Sequence, residues 1–298
     1  MRTGFIAAVY LYKLQRKAIS MRMTHIQNFV FLTFALFISQ AFALDAPSSK
    51  PAQTDAVAEN VALVPWNSEE SAARLARARH KADFFTLANN FVSQENAMWC
   101  GPASAAIVLN SLRLGKKNDL PVDKSSIGEK EDVYLPRDYN PYFEKYTQRN
   151  LFKEGAKSKI EILGKPVAVK GDMKSDSGIQ LRQLAALLSM HGLDVQLRIA
   201  GESLSDETIK AELIANLSSP DDYVLVNFTR KALGQMGGGH ISPVAAYDDE
   251  SDSFLVMDVN PNRASWVWVK TKDLIAAMRT FDTVENRGYL LISESRKS

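Results

Sequence analysis

The chain has 298 residues, 46% of them hydrophobic and 23% charged, with a net charge of +2, and this balance excludes a disordered chain. Its basic excess sits in the first 43 residues, which hold five positive charges and no Asp or Glu; the rest has no basic block of the kind nucleic-acid binding requires. One cysteine, Cys100, and four histidines without C-x-x-C or H-E-x-x-H spacing exclude an internal disulfide and argue against a metal site.

In chain order, residues 1–43 carry Arg2, Lys13, Arg16, Lys17 and Arg22, then an apolar run over 29–38, then Ala41-Phe42-Ala43. That order is the pattern of a secretory signal peptide, and the run is too short to be a stable membrane span. Cleavage after Ala43 removes the five positive charges and takes the net charge from +2 to −3. The expected mature protein starts at Leu44 and lies in the periplasm. Residues 44–62 are small, polar and aperiodic, a flexible linker, and 63–298 form the catalytic domain.

Residues 68–80 read as a charged helix capped by Ser68. Ala105, Val108, Leu109 and Leu112 recur at helical spacing over 104–114, with Pro102 just inside the start, where its missing N–H costs nothing. Cys100 therefore stands at a helix N-terminus. Residues 115–177 are charged, Tyr-rich and irregular, with short helices. A helix follows over 179–190, stopped at Gly192, then a strand over 193–199 and a helix over 205–217. Strands are expected over 223–228, 241–247, 254–259, 266–269 and 288–292, with a helix over 272–278 between the last two. The class is α+β, a helical half packed against an antiparallel sheet. A helix-borne cysteine facing a strand-borne histidine across the cleft between the halves is the papain-like arrangement.

A thiol of ordinary pKa, ~8.5, is mostly protonated at neutral pH and needs activation. A helix N-terminus and a nearby imidazolium both supply it. Gly101 permits a backbone or a substrate to approach closely. His240 opens the run ISPVAAYD and Asp258 closes FLVMDV, with the turn-rich DDESDS between them. An antiparallel hairpin centred on residue 249 sets the two opposite each other on one face, where Asp258 can accept the ring N–H and fix the tautomer. Gln94, six residues before Cys100, is a candidate oxyanion donor together with the Cys100 N–H. Arg230 is placed to bind a substrate carboxylate; Asn227, Gly239 and Arg287 are further candidate substrate contacts. Trp99, Phe91, Trp266 and Trp268 read as packing residues or cleft walls.

These residues carry a resemblance. FVSQENAMWCGPASAAIVLNSL (91–112) resembles the nucleophile segment of phytochelatin synthases. The segment 223–263, containing GGGHISPVAAYDDESDSFLVMDV, resembles their histidine–aspartate segment, and 266–292 the end of their catalytic domain. The resemblance implies a triad of Cys100, His240 and Asp258, with Gln94 in the oxyanion hole. It also implies glutathione as substrate, cleaved at its Cys–Gly bond through a γ-glutamylcysteinyl thioester. No cofactor is implied, although heavy-metal ions such as cadmium enter as metal–glutathione thiolates. A homodimer is a further expectation. Plant-type members carry a cysteine-rich C-terminal region, and this chain ends at Ser298 without one; the likeness is to the short bacterial form, in which hydrolysis dominates. Residues 260–265, Asn-Pro-Asn-Arg-Ala-Ser, replace the basic, Tyr- and Pro-containing stretch usual after the catalytic Asp, which places transfer in more doubt than hydrolysis. The rival readings are a papain-like peptidase acting on other peptides and a non-catalytic protein that captures thiols or metals through Cys100.

Overall fold

The structure, a computed structural model, describes residues 61–169, 172–174 and 176–295. The signal-peptide reading of 1–43 and all but the last two residues of the expected linker lie outside the described residues. A short strand β1 (Val64–Pro65) leads into helices α1 (Glu69–Arg77), α2 (Phe84–Asn89) and α3 (Cys100–Arg113). Ser68 caps α1, accepting the Ser71 N–H at 3.2 Å, as the sequence predicts. Every residue of α3 from Gly101 to Arg113 is buried, the pattern of a helix running through a core.

Between α3 and the next long helix the chain forms α4 (Glu129–Asp132), α5 (Lys159–Ile162) and two small ribbons. In these, β2 (Val122–Asp123) pairs with β3 (Phe143–Glu144), and β4 (Val167–Val169) with β5 (Asp172–Lys174). The ribbons are two or three residues wide and show no alternation that sequence could reveal.

The remainder follows the expected order: α6 (Leu181–Met190), β6 (Leu193–Ile199), α7 (Asp206–Leu217), β7 (Asp222–Thr229), β8 (Gly239–Asp248), β9 (Ser253–Val256), β10 (Val267–Lys270), α8 (Thr271–Met278) and β11 (Gly288–Glu294). Seven strands form one antiparallel sheet in the order β1-β10-β9-β8-β7-β11-β6. The α+β class is thus observed. The helices do not all lie on one side, however. Ile107, Leu109 and Leu184 from α3 and α6 share a core with Leu225, Ala245 and Leu255 of the sheet. Leu213 of α7 and Leu274 and Met278 of α8 share another with Val226, Val244 and Val256. The sheet is covered on both faces, which is why its central strands read as nearly continuous apolar runs.

Two contacts fix where α3 starts. Ser104 Oγ donates to the Ile241 carbonyl of β8 at 3.1 Å. A Cβ on Gly101 would stand 2.1 Å from Ile179 Cγ2. The close approach that this glycine permits is therefore to the Ile179 side chain, a correction to the expectation of a substrate or a backbone there. Gly101→Ala is expected to destabilise by about 1–3 kcal/mol, the usual cost of overpacking. Urea unfolding checks it, and adding Ile179→Ala should recover part of the loss by removing the struck methyl.

Candidate active site

Cys100 is half-buried at the first position of α3. Its predecessor Trp99 makes no side-chain capping bond, so the first N–H groups of the helix are left to other acceptors. Burial pushes the Cys100 thiol up. The hydrogen bond and charge of His240, with the N–H groups of Ile241 and Gly101, more than offset this and hold it below its ordinary value. His240 is the second residue of β8 and is buried. Burial pushes its imidazole down, while Asp258 and the Cys100 thiolate hold it above its usual value. The two shifts are coupled and run in the sense that favours a thiolate beside an imidazolium.

His240 Nε2 lies 3.0 Å from Asp258 Oδ1 and 2.9 Å from Ser242 Oγ. With Nε2 so engaged, Nδ1 is the ring nitrogen left for the thiol. Ser242 is fully buried and also accepts the Val259 N–H at 3.3 Å, so one hydroxyl joins His240 to the residue after Asp258. Asp258 further accepts the Asn260 N–H at 2.8 Å.

The pairing of His240 with Asp258 differs in detail from the expected register. From the turn, the hairpin pairs Asp248 with Ser253 and Ala246 with Leu255; a bulge then shifts the register so that Val244 faces Val256. Extending that register sets Asp258 opposite Ser242, two residues from His240. The turn is centred later than residue 249, and the bulge changes the alternation. Ala245 and Ala246 both pack into the core under α3, while Val244 and Tyr247 on either side face the other core. Without this extra residue, alternation from Tyr247 would turn His240 to the face opposite Asp258.

Strand β9 also ends sooner than expected, at Val256 rather than 259. Pro243 accepts the Met257 N–H at 2.9 Å but has no N–H to return the bond. The ladder stops there, and the chain is free to turn at Asp258.

The other candidates fall into two places. Gln94 is buried, and its N–H donates to the Val259 carbonyl at 2.8 Å, beside Asp258. Its Nε2 donates to the Asn96 carbonyl at 2.7 Å, and its Oε1 has no hydrogen-bond partner among the described residues. Because the carbonyl takes one of two Nε2 hydrogens, the second remains available. Gln148 braces this loop, donating to Ser93 O and accepting from Glu95 N–H. Arg230 is buried against Asp258, with Nη2 2.8 Å from Oδ1 and 2.7 Å from Oδ2. Its guanidinium thus meets a carboxylate of the protein itself.

Asn227, Gly239 and Arg287 gather at the same end of the sheet, around Asp282. Asn227 Nδ2 donates to Asp282 Oδ2 at 3.1 Å, Arg287 Nη2 lies 3.0 Å from Oδ1, and a Cβ on Gly239 would stand 3.0 Å from Arg287 Nη2. In the β7–β8 register the neighbouring Phe228 faces His240, the rings edge-on at 5.6 Å. Asp282, Ser242 and Gln148 were not among the residues expected from sequence. Asp282 lies in a turn with no motif around it, and a buried serine or glutamine has no sequence signal apart from its neighbours in space. Trp268 and Trp266 are packing residues: Trp268 is fully buried with its indole donating to Ser71 Oγ, and Trp266 packs tilted or edge-on against Trp66, Phe84 and Phe91.

Such a chain of groups can hold a nucleophilic thiolate at neutral pH. Iodoacetamide should alkylate Cys100 at pH values below the ordinary thiol range of ~8.5. His240→Ala should raise the midpoint, because burial is then opposed only by the N–H groups of Ile241 and Gly101. Alkylation rate against pH, followed by mass spectrometry, measures both.

The phytochelatin synthase family model matches residues 54–125 and 134–289. Among curated proteins, the chain is 27% identical over 222 residues to glutathione gamma-glutamylcysteinyltransferase 3 of Lotus japonicus, covering 72% of this chain and 38% of that protein. It is 24% identical over 212 residues to glutathione gamma-glutamylcysteinyltransferase of Schizosaccharomyces pombe, covering 70% and 43%, and 27% identical to glutathione gamma-glutamylcysteinyltransferase 2 of Arabidopsis thaliana, covering 72% and 40%. The alignments span about two fifths of the length of these relatives. With a family match over most of its length and a cysteine, histidine and aspartate joined at one end of its sheet, the chain belongs to the phytochelatin synthase family.

Proposed function

We propose that this chain is a papain-like cysteine enzyme that cleaves the Cys–Gly bond of glutathione. The observation that carries the reading is that His240, 3.0 Å from Asp258, is also the group that holds the Cys100 thiol below its ordinary value. The name of these relatives supplies the substrate and the group that moves. The Cys100 thiolate attacks the carbonyl carbon of the Cys–Gly bond. The oxyanion is met by the Cys100 N–H and the free Nε2 hydrogen of Gln94. His240 gives its proton to the leaving nitrogen, glycine departs, and a γ-glutamylcysteinyl thioester remains. His240 then takes a proton from the acceptor. Water gives γ-glutamylcysteine; the amine of a second glutathione, free or as a metal thiolate such as that of cadmium, gives phytochelatin. Asn227, Gly239 and Arg287, with Asp282 between them, form the face offered to the substrate's polar groups.

Hydrolysis is the favoured outcome in this reading. An acceptor must be held beside Asp258, and the stretch that follows it, 260–265, is a mostly exposed turn without the family's usual basic and aromatic residues. Water needs no such site. Glycine and γ-glutamylcysteine should therefore appear in near-equal amounts, with phytochelatin minor at high glutathione. Cys100→Ala should abolish all products, and Asp258→Asn should leave a small residue. Gln94→Ala should cost roughly 100-fold. A mass-spectrometric time course decides: phytochelatin outpacing γ-glutamylcysteine sinks the hydrolase reading, and glycine release by Cys100→Ala sinks the mechanism.

Export to the periplasm is part of the same proposal, supported by the charged start and the Ala41-Phe42-Ala43 site. N-terminal sequencing of the native protein should begin at or near Leu44; an intact Met1 would rule it out.

A further inference from the structure

We propose that Arg230 is a positioning residue for the Cys100–His240 pair: it grips the Asp258 carboxylate that His240 also touches, and its charge makes the buried chain neutral when thiolate and imidazolium are both present. The inference rests on the reading of Cys100 as nucleophile, but not on glutathione as substrate.

Three observations carry it. First, Arg230 is only 3% exposed. Nη2 donates to Asp258 Oδ1 at 2.8 Å and lies 2.7 Å from Oδ2, and Nη1 donates to Gln235 Oε1 at 3.1 Å. Each terminal nitrogen donates to a group of the protein. Second, the loop 231–238 is folded around this side chain. The Arg230 N–H donates to Gly238 O at 3.0 Å, and the Arg230 carbonyl accepts from the Leu233 and Gln235 N–H groups, each at 3.0 Å. Gly237 has φ +121°, and a Cβ there would stand 2.9 Å from Arg230 Cδ. This glycine leaves room for the arginine.

Third, the charges balance. The charged groups in ion pairs with Asp258 among the described residues are His240 and Arg230, and Cys100 lies beyond His240. Thiolate, imidazolium and carboxylate alone leave one net negative charge in a buried site, which is costly. Arg230 cancels it. Burial pushes the Asp258 carboxyl up, while His240 and Arg230 together hold it below the usual carboxylate range. Without Arg230, Coulomb attraction would favour keeping a proton on the thiol or on Asp258 to a higher pH.

The sequence assigned this arginine to a substrate carboxylate, and the two roles separate cleanly. Alkylation by uncharged iodoacetamide involves no substrate. In Arg230→Gln, the pH midpoint of Cys100 alkylation should rise by roughly one unit, the size expected when a buried carboxylate loses a cationic partner. Arg230→Lys should recover more than half of that shift. The acid limb of glutathione cleavage should move the same way, with KM little changed. An unmoved midpoint with a raised KM would show a substrate contact and overturn the proposal. If Arg230→Gln does not fold by circular dichroism, Gln235→Ala, which frees Nη1, should give a smaller upward shift; an unmoved midpoint in that variant overturns it as well. A protein that ignores glutathione yet shows the shift sinks the substrate reading and leaves this one standing.

Discussion

A half-buried thiol resists ionisation, and the whole site turns on how that resistance is overcome. Burial and the positive environment of the α3 start act on Cys100 in opposite senses. The balance is tipped by one imidazole, and an imidazole that is itself buried resists its charge in turn. Each charge added to the site therefore calls for the next. Asp258 supports His240, and Asp258 in its turn is held by Arg230 and by the Asn260 N–H. The sequence of contacts ends at an arginine, the side chain that does not deprotonate in proteins.

The backbone that delivers these groups is constrained at both ends of one hairpin. At the site end, the bulge at Ala245–Ala246 sets the face of His240, and Pro243 ends the ladder in time for Asp258 to turn inward. At the far end, α1 grips the turn. Arg77 donates to both Asp248 oxygens at 2.9 and 2.8 Å, and Arg74 donates to Ser253 Oγ at 2.8 Å. Asp248 is buried, and burial alone would push its carboxyl up; Arg77 and Ser251 reverse this and hold it below the usual range. A helix with no residue in the site thus helps to hold the register on which the site depends.

Much of this was legible in the sequence because the long elements are strongly periodic. α6, α7 and α8 and strands β6, β7, β8 and β11 lie within two residues of their predicted bounds. The hairpin argument shows what such reasoning can and cannot reach. It set His240 opposite Asp258, whereas the register sets Ser242 there. An error of two residues keeps every side chain on its own face, so the contact survived; an error of one would have lost it. The bulge that decides the matter has no mark in VAAY beyond two small residues. Arg230 was legible as a functional residue but not as a partner of Asp258, because that contact joins two segments through a loop whose glycine has meaning only once the arginine is in place. Asp282 and Gln148 carry no signal at all without the fold.

Strand β8 has a ladder neighbour on each side and a core against each face. Its amides are then open to solvent hydrogen only when the sheet itself comes apart, and they should be among the slowest in the protein to exchange. The 260–265 turn is tied by short local bonds, Asn262 N–H to Asn260 Oδ1 and Arg263 N–H to Asn260 O, and can open without disturbing β8. The histidine is thus carried on a persistent central strand, and the residues that follow Asp258 on a locally tied turn. On the proposed reading, selection can reshape which acceptor is taken, by residues in that turn, while the hydrogen-bonded frame around Cys100 is left untouched.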